Sequence, residues 1–78
     1  MPELLESVAL TVHVPAHGLL VGDVGTVVFV HGSGEAYEVE FVTYSGETVA
    51  VLTLNAAEVR SLGSREIANA RRLGPPRG

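Results

Sequence analysis

The alternation of apolar and polar side chains is clearest in the middle of the chain. Over residues 36–43, three apolar side chains alternate with two glutamates, the pattern of a strand with one buried face. The apolar residues are Tyr37, Val39 and Phe41, and the glutamates are Glu38 and Glu40. Similar apolar, β-branched runs recur between turn residues. The pattern predicts five strands, over residues 7–12, 25–31, 36–43, 48–54 and 59–62.

The second and fourth predicted strands are apolar on both faces, so alternation alone does not orient them. We expect one set to point inward, namely Val28, Val30, Ala50, Leu52 and Leu54. The other set then points outward as an apolar patch made of Val27, Phe29, Val49 and Val51. A contiguous patch of this kind marks an interface. Two outcomes stay open: the C-terminal tail covers the patch with Ile67 and Leu73, or another protein surface does.

Glycines mark the entrance to the second strand. Gly18, Gly22 and Gly25 predict tight turns there, and Asp23 is expected to hold the turn through backbone amides just downstream. We assign these four residues a structural role, because a phosphate cradle would need a following helix. Further turns are expected at 32–35 and 44–47, and a single 3₁₀ turn at 55–58. The long loop 13–23 contains Pro15, which interrupts strand pairing.

Five short strands joined by tight turns predict a mainly β chain, and a glycine-rich entrance to a strand is typical of small SH3-like barrels, including the KOW type. We therefore expect a five-stranded SH3-like barrel over residues 1–62 and an Arg-rich tail over 63–78. In the tail, Ile67, Ala70 and Leu73 form a narrow apolar stripe that predicts a short helix over 64–73, with an extended tail as the alternative. The end, through Gly78, is expected to be disordered.

Length and composition narrow the class of protein. A chain of 78 residues holds one small domain, and the absence of cysteine excludes disulfides, thiolate ligands and thiol nucleophiles. The N-terminal residues lack the pattern of a signal peptide, and no apolar run reaches membrane-spanning length. We expect a cytoplasmic protein with no membrane contact.

Charge is divided sharply along the chain. Eight acidic residues and no basic one precede position 60, so residues 1–59 carry −8, whereas five arginines and one glutamate give residues 60–78 a charge of +4. An acidic body argues against nucleic-acid binding through that body, because phosphate contacts need lysine and arginine. We expect the tail, with Arg71 and Arg72, to fold onto the acidic body or to reach a partner protein.

Candidate catalytic and metal-binding groups are weakly supported. His13 and His17 are four residues apart, but Pro15 between them excludes a helix, and no third ligand is fixed even with His31 or Asp23 nearby. The serines fall in predicted turns or caps, and Glu38 and Glu40 share an exposed strand face that offers no means to separate their pKa values. We expect no catalytic site, no metal, no cofactor and no small-molecule substrate.

Four segments occur in an order and spacing that resemble a known family. They are residues 4–11, residues 18–28 with the pattern Gly-Leu-x-x-Gly-x-Val-Gly-Thr-Val-Val, residues 37–42, and residues 52–59 with Leu-Thr-Leu followed by Ala-Glu-Val. Over residues 4–62 the chain resembles the short bacterial proteins grouped as domain of unknown function 4926. The resemblance implies an SH3-like barrel without established catalytic residues. Because such proteins often look like one half of a two-gene unit, it also implies an antitoxin-like or chaperone-like role.

The sequence favours a non-catalytic protein-interaction module that binds a partner protein or a second copy of itself. The residues expected to contact the partner are Val27, Phe29, Val49, Val51, Ile67, Arg71 and Arg72. Two alternatives stay open: a nucleic-acid-binding, KOW-like module that uses the arginine tail, and a small accessory subunit of an enzyme.

Overall fold

A computed structural model describes residues 2–74 and places five antiparallel strands in one sheet. The strands are β1 (Ser7–Leu10), β2 (Val24–His31), β3 (Ala36–Val42), β4 (Thr48–Asn55) and β5 (Val59–Ser61). Their order across the sheet is β4-β3-β2-β1-β5. All five strands that the sequence predicts are present, with ends that differ by one or two residues, and the chain is mainly β as expected.

The sheet curls because its two edge strands are consecutive in the chain. A link of three residues, 56–58, joins the end of β4 to the start of β5, although these strands lie at opposite edges. Such a short link requires the two edges to approach each other. Leu54 of β4 and Val59 of β5 accordingly share one buried cluster with residues of the other strands. The core therefore lies on the concave side of the sheet.

The core consists of the inward-facing residues of all five strands and one loop residue. It contains Val8, Leu10, Leu19, Val27, Tyr37, Val39, Phe41, Leu54 and Val59. Strand β3 follows the predicted alternation without exception, because Tyr37, Val39 and Phe41 are all buried.

Glycine is required at the entrance to β2 for two different structural reasons. Gly18 and Gly22 have φ values of +70° and +93°, so they supply the turns that were predicted. Gly25 does not form a turn. It lies within β2, where a β-carbon would sit 2.7 Å from Val39 Cγ1 and 2.8 Å from the Glu40 carbonyl oxygen. A side chain is excluded there by the close approach of β3.

The loop and the turns of the structure differ in detail from those that the sequence predicts. The 13–23 loop contains a 3₁₀ turn at Pro15–His17, and no such turn forms at 55–58. At 55–58 the Asn55 side chain accepts a hydrogen bond from the Ala57 amide at 2.9 Å, which stabilises an ordinary turn. Hairpin turns lie at 32–35 and 44–46, as the glycines indicated.

The prediction of a helix over 64–73 is wrong. Residues 64–65 form a turn, residues 66–73 have no regular secondary structure, and no α-helix is present within residues 2–74. So short a helix is marginal by itself, and side-chain bonds from Glu66 and Arg71 hold these residues in an irregular path instead. The expected disorder at residues 75–78 lies outside the described residues. In the described part of the chain, no helix is long and apolar enough to cross a bilayer.

Candidate functional site

The residues predicted to contact a partner on β2 do not all face outward. Val27 was expected outward, but it is fully buried and pairs with Val39 in the core. The cause is a bulge between Val27 and Phe29, which places an extra residue, Val28, in β2. Val28, expected inward, is consequently exposed, whereas Phe29 points outward and Val30 packs against the core.

On β4 the predicted inward set is confirmed and the outward set is half right. Ala50 and Leu54 are buried and Leu52 is partly buried against the core. Val51 faces outward and is exposed. Val49, expected outward, is partly buried against the core beside a register shift in the pairing of β3 with β4.

The outward side of the sheet carries an acidic and apolar surface, which we call the outward face. Glu38 and Glu40 of β3 lie on this face, between β2 and the edge strand β4. Phe29 of β2 pairs with Glu38 and Val51 of β4 pairs with Glu40, so each glutamate has an apolar neighbour. The relative exposure of Phe29 is 53% and that of Val51 is 52%.

The carboxylate of Glu38 is fixed by its neighbours across the sheet. His31 Nε2 donates to it at 2.6 Å, and the Thr53 hydroxyl donates at 2.8 Å. The hydrogen bonds from His31 and then Thr53 hold the pKa of Glu38 below its ordinary value. The edge of the Phe29 ring meets the His31 ring at 4.9 Å between centroids. The outward face therefore presents negative charge at positions set by the sheet.

The C-terminal segment, residues 62–74, crosses one end of the outward face. Arg60 of β5 and Glu66 form a two-pronged ion pair, with distances of 2.6 and 2.8 Å, and the Gly63 amide donates to the same carboxylate at 2.8 Å. These bonds, led by the one from Arg60, lower the pKa of Glu66 to about 2. The turn at the start of the segment is thus held by charge.

Arg71 fastens the far end of the segment to the loop before β2. Its Nε donates to Asp23 Oδ1 at 2.8 Å, and its Nη2 donates both to Asp23 Oδ2 and to the Gly18 carbonyl oxygen. The Leu20 amide also donates to Asp23 Oδ2, at 2.8 Å. The Arg71 guanidinium, followed by the Leu20 amide, holds the pKa of Asp23 below its ordinary value. We call this contact the Arg71 latch.

A groove of about 1080 Å³ separates the C-terminal segment from the sheet. Its floor includes Ala9, which is buried but does not belong to the core cluster. Ala9 alternates with Val8 and Leu10, so it points to the side of the sheet that the segment crosses. Val24, Val42 and further residues of the loops and the segment complete the walls.

The tail residues that were predicted to contact a partner lie in different environments. Ile67 does not cover the apolar patch, because 90% of its surface is exposed. Arg71 folds onto the acidic body, one of the two outcomes expected for the tail, whereas Arg72 remains exposed. Leu73 lies near Gly18 at the latch. The tail covers one end of the outward face and leaves the other end open.

The histidines and acids considered as ligands do not converge. His13 Nδ1 accepts a hydrogen bond from the Val21 amide at 3.1 Å, and His31 is engaged with Glu38. Asp23 is held by Arg71 and by Leu20, an amide upstream of it and not downstream as expected. Within residues 2–74, no group of three or more His, Asp or Glu side chains is arranged to hold a metal ion.

Sequence reasoning named Asp23 and Arg71 separately but did not pair them. Asp23 was assigned to a turn, Arg71 was expected to contact either the acidic body or a partner, and no short-range spacing connects residues 48 apart. The division of charge along the chain was the available signal, since it indicated that the basic tail could fold onto the acidic body.

Comparison with known proteins gives one result. Neither the curated proteins nor the solved structures contain a match to this chain. The family model described as Domain of unknown function (DUF4926) matches residues 4–61, which comprise all five strands and end before the C-terminal segment. The chain therefore belongs to the DUF4926 family.

Proposed function

We propose that this chain is a non-catalytic protein-interaction module, an SH3-like barrel that binds a basic partner protein on its outward face. The curled five-stranded sheet and its strand order support the barrel. For the biological role we propose an antitoxin-like or chaperone-like action on a protein encoded nearby. The observation that carries the proposal is the exposure of Phe29 and Val51 beside Glu38 and Glu40.

The apolar part of this surface favours protein association. Phe29 and Val51 stand on strands either side of β3, and each exposes about half of its surface to water. Removing an aromatic ring and a branched aliphatic side chain from water stabilises a complex, and aromatic residues are enriched at interface centres. The rigid backbone of the sheet fixes both side chains before a partner arrives.

The charge of this surface favours a basic partner. Residues 1–59 have a formal charge of −8, and Glu38 and Glu40 lie on the outward face between Phe29 and Val51. The bonds that lower the pKa of Glu38 keep it ionised near neutral pH. Complementary charge raises the association rate and discriminates among partners.

In the described part of the chain, β4 is an edge strand of the sheet beside this surface and offers main-chain bonding groups. Strand β4 covers eight residues, Thr48–Asn55, and contains no charged residue and no proline. A long uncharged edge of this kind accepts an added strand from a partner. A basic, aliphatic strand would place its charges near the glutamates of β3.

The arginine tail gives less support to nucleic-acid binding. Arg71 of the tail is paired with Asp23, and Arg60 just before the tail is paired with Glu66, so carboxylates of the same chain already neutralise these two guanidinium groups, whereas Arg65 and Arg72 are exposed. Phosphate binding by Arg60 or Arg71 would have to break these pairs, which opposes the electrostatic gain of such binding.

The proposal is tested by co-expressing the full chain with the product of the neighbouring gene and measuring the mass of the complex by size exclusion with light scattering. The double variant Phe29→Thr and Val51→Thr should lose the complex and keep its melting temperature, since threonine suits exposed strand positions. Val12→Thr is the matched control, because Val12 is an exposed valine in the loop after β1.

Three outcomes would overturn the proposal. One is a wild-type chain that stays monomeric and binds no protein. Another is a complex that the double variant forms as well as the wild type. The third is binding of nucleic acid whose log affinity falls steeply with log salt, which would favour the arginine tail as the binding element.

A further inference from the structure

The loop that receives Arg71 is organised as a receptor for a guanidinium group. The carboxylate of Asp23 accepts two of the arginine's hydrogen bonds, and the Gly18 carbonyl oxygen accepts a third at 2.9 Å. This fork-to-carboxylate geometry is specific for arginine, because a lysine ammonium group cannot donate along two parallel directions.

The receptor is held in shape by bonds that do not involve Arg71. The Leu20 amide donates to Asp23 Oδ2 at 2.8 Å, and the Asp23 amide donates to the Leu20 carbonyl oxygen at 3.0 Å. The Gly22 amide donates to the Leu10 carbonyl oxygen of β1 at 2.9 Å, which fastens the loop to the sheet. The site is therefore preorganised, so a ligand would not have to order the loop on binding.

The chain's own segment fills this site incompletely. Arg71 reaches the carboxylate, but Ile67, the largest aliphatic side chain between Gly63 and Arg71, is 90% exposed. A groove of about 1080 Å³ remains between the segment and the sheet, and its lining includes Val24 and Val42, each about half exposed. Leu62 and Leu73 are partly buried, but the segment is otherwise held by ion pairs that are partly open to solvent, so it is weakly bound.

We propose that the 18–23 loop and the adjoining groove form a recognition site for an extended, arginine-containing segment of the partner protein, and that residues 62–74 occupy this site in the free chain. The inference rests on the proposed function and adds the chemistry of the partner: an arginine for Asp23, and neighbouring aliphatic side chains for the groove. Ala9 and Val24 in the groove lie on the same side of the sheet as Glu38, so a single partner is able to contact both surfaces.

The test uses the full chain carrying Arg71→Gln, which removes the internal occupant without shortening the protein. The probe is a synthetic peptide of residues 66–74, with a second version in which Ala68 and Ala70 are replaced by leucine to fill the groove. Binding is measured by calorimetry and by the amide NMR signals of Gly18, Leu20 and Asp23. We expect binding of the arginine peptide, at least fivefold tighter binding of the leucine version, and at least tenfold weaker binding when the peptide carries Arg71→Lys.

Two controls make the result specific. The double variant Asp23→Asn with Arg71→Gln should lose the binding, and the wild-type chain should bind at least fivefold more weakly than Arg71→Gln because its own arginine competes. Equal binding by the lysine and arginine peptides, equal binding after Asp23→Asn, or no binding at all would overturn the inference.

Failure of this inference is distinguishable from failure of the proposed function. A co-expressed complex that survives Asp23→Asn but is lost in the Phe29→Thr and Val51→Thr variant contradicts the arginine site and leaves the outward face as the docking surface. A complex lost after Asp23→Asn, with its partner cross-linked to the 18–23 loop, supports the arginine site.

Discussion

The guanidinium of Arg71 lies against the carboxylate of Asp23, with Nε 2.8 Å from Oδ1, although 48 residues separate them in the chain. This pair closes the C-terminal segment over one end of the sheet. Asp23 also accepts a hydrogen bond from the Leu20 amide. The same side chain therefore stabilises the loop before β2 and holds the C-terminal segment.

The latch should control the mobility of the segment more than the stability of the fold. We expect Arg71→Gln to raise amide exchange rates over residues 66–73 and to change the unfolding midpoint little, because an ion pair that is partly open to solvent contributes little to stability. Arg72→Gln is the matched control, since it removes the same charge from the adjacent exposed arginine. Equal exchange rates in the two variants would contradict the latch.

Acid should release the segment only well below neutral pH. The folded-state pKa of Asp23 lies below its ordinary value of 3.8 because Arg71 stabilises the carboxylate. The contribution of the pair is therefore fully present above pH 3.8 and is lost as the pH falls through the lowered pKa. NMR titration of the Leu20 amide should give a midpoint below 3.8, and Arg71→Gln should move that midpoint upward. A midpoint of 3.8 or above in the wild type would be inconsistent with the pair.

Gly25→Ala should destabilise the fold by about 1–3 kcal/mol, because the new methyl group would overlap Val39 and the backbone of Glu40. Urea unfolding measures the change. Gly74→Ala is the control, since nothing lies within 4 Å of a β-carbon there. If both variants unfold at the same urea concentration as the wild type, the close approach of β2 and β3 is not required.

Tyr37→Phe should be neutral or stabilising by up to about 1 kcal/mol. Tyr37 is fully buried, and its hydroxyl finds no hydrogen-bond partner among the described residues, so removing it relieves a desolvated polar group. Tyr44→Phe, at a fully exposed tyrosine, supplies the reference for the substitution itself. A loss of more than about 1 kcal/mol at position 37 would show that the hydroxyl is bonded.

Local patterns in the sequence predict the strands well because the side chains on each face of a strand suit what that face contacts, either the core or the solvent. Strand β3 alternates strictly, so its buried residues follow directly from the sequence. Strand β2 is apolar on both faces, and a bulge after Val27 shifts its alternation. The amino-acid sequence alone does not show where that bulge lies. The orientation of Val27 therefore depends on pairing with β3 and not on its neighbours in sequence.

The helix predicted over 64–73 does not form, because tertiary contacts decide the conformation of the C-terminal segment. The stripe of Ile67, Ala70 and Leu73 has helical spacing, but a helix of this length gains too little from its own hydrogen bonds. Ion pairs with Arg60 and Asp23 hold the segment in an irregular path instead. Those partners lie outside any local window, so only the overall charge division could indicate the contact.

Docking on the outward face is tested most directly by NMR mapping of the isotope-labelled full chain in complex with its co-expressed partner. We expect the largest shifts and intensity losses at Phe29, Glu38 and Val51, with the turn at 32–35 little changed. Perturbations confined to that turn, with the signals of Phe29 and Val51 unmoved, would contradict the claim.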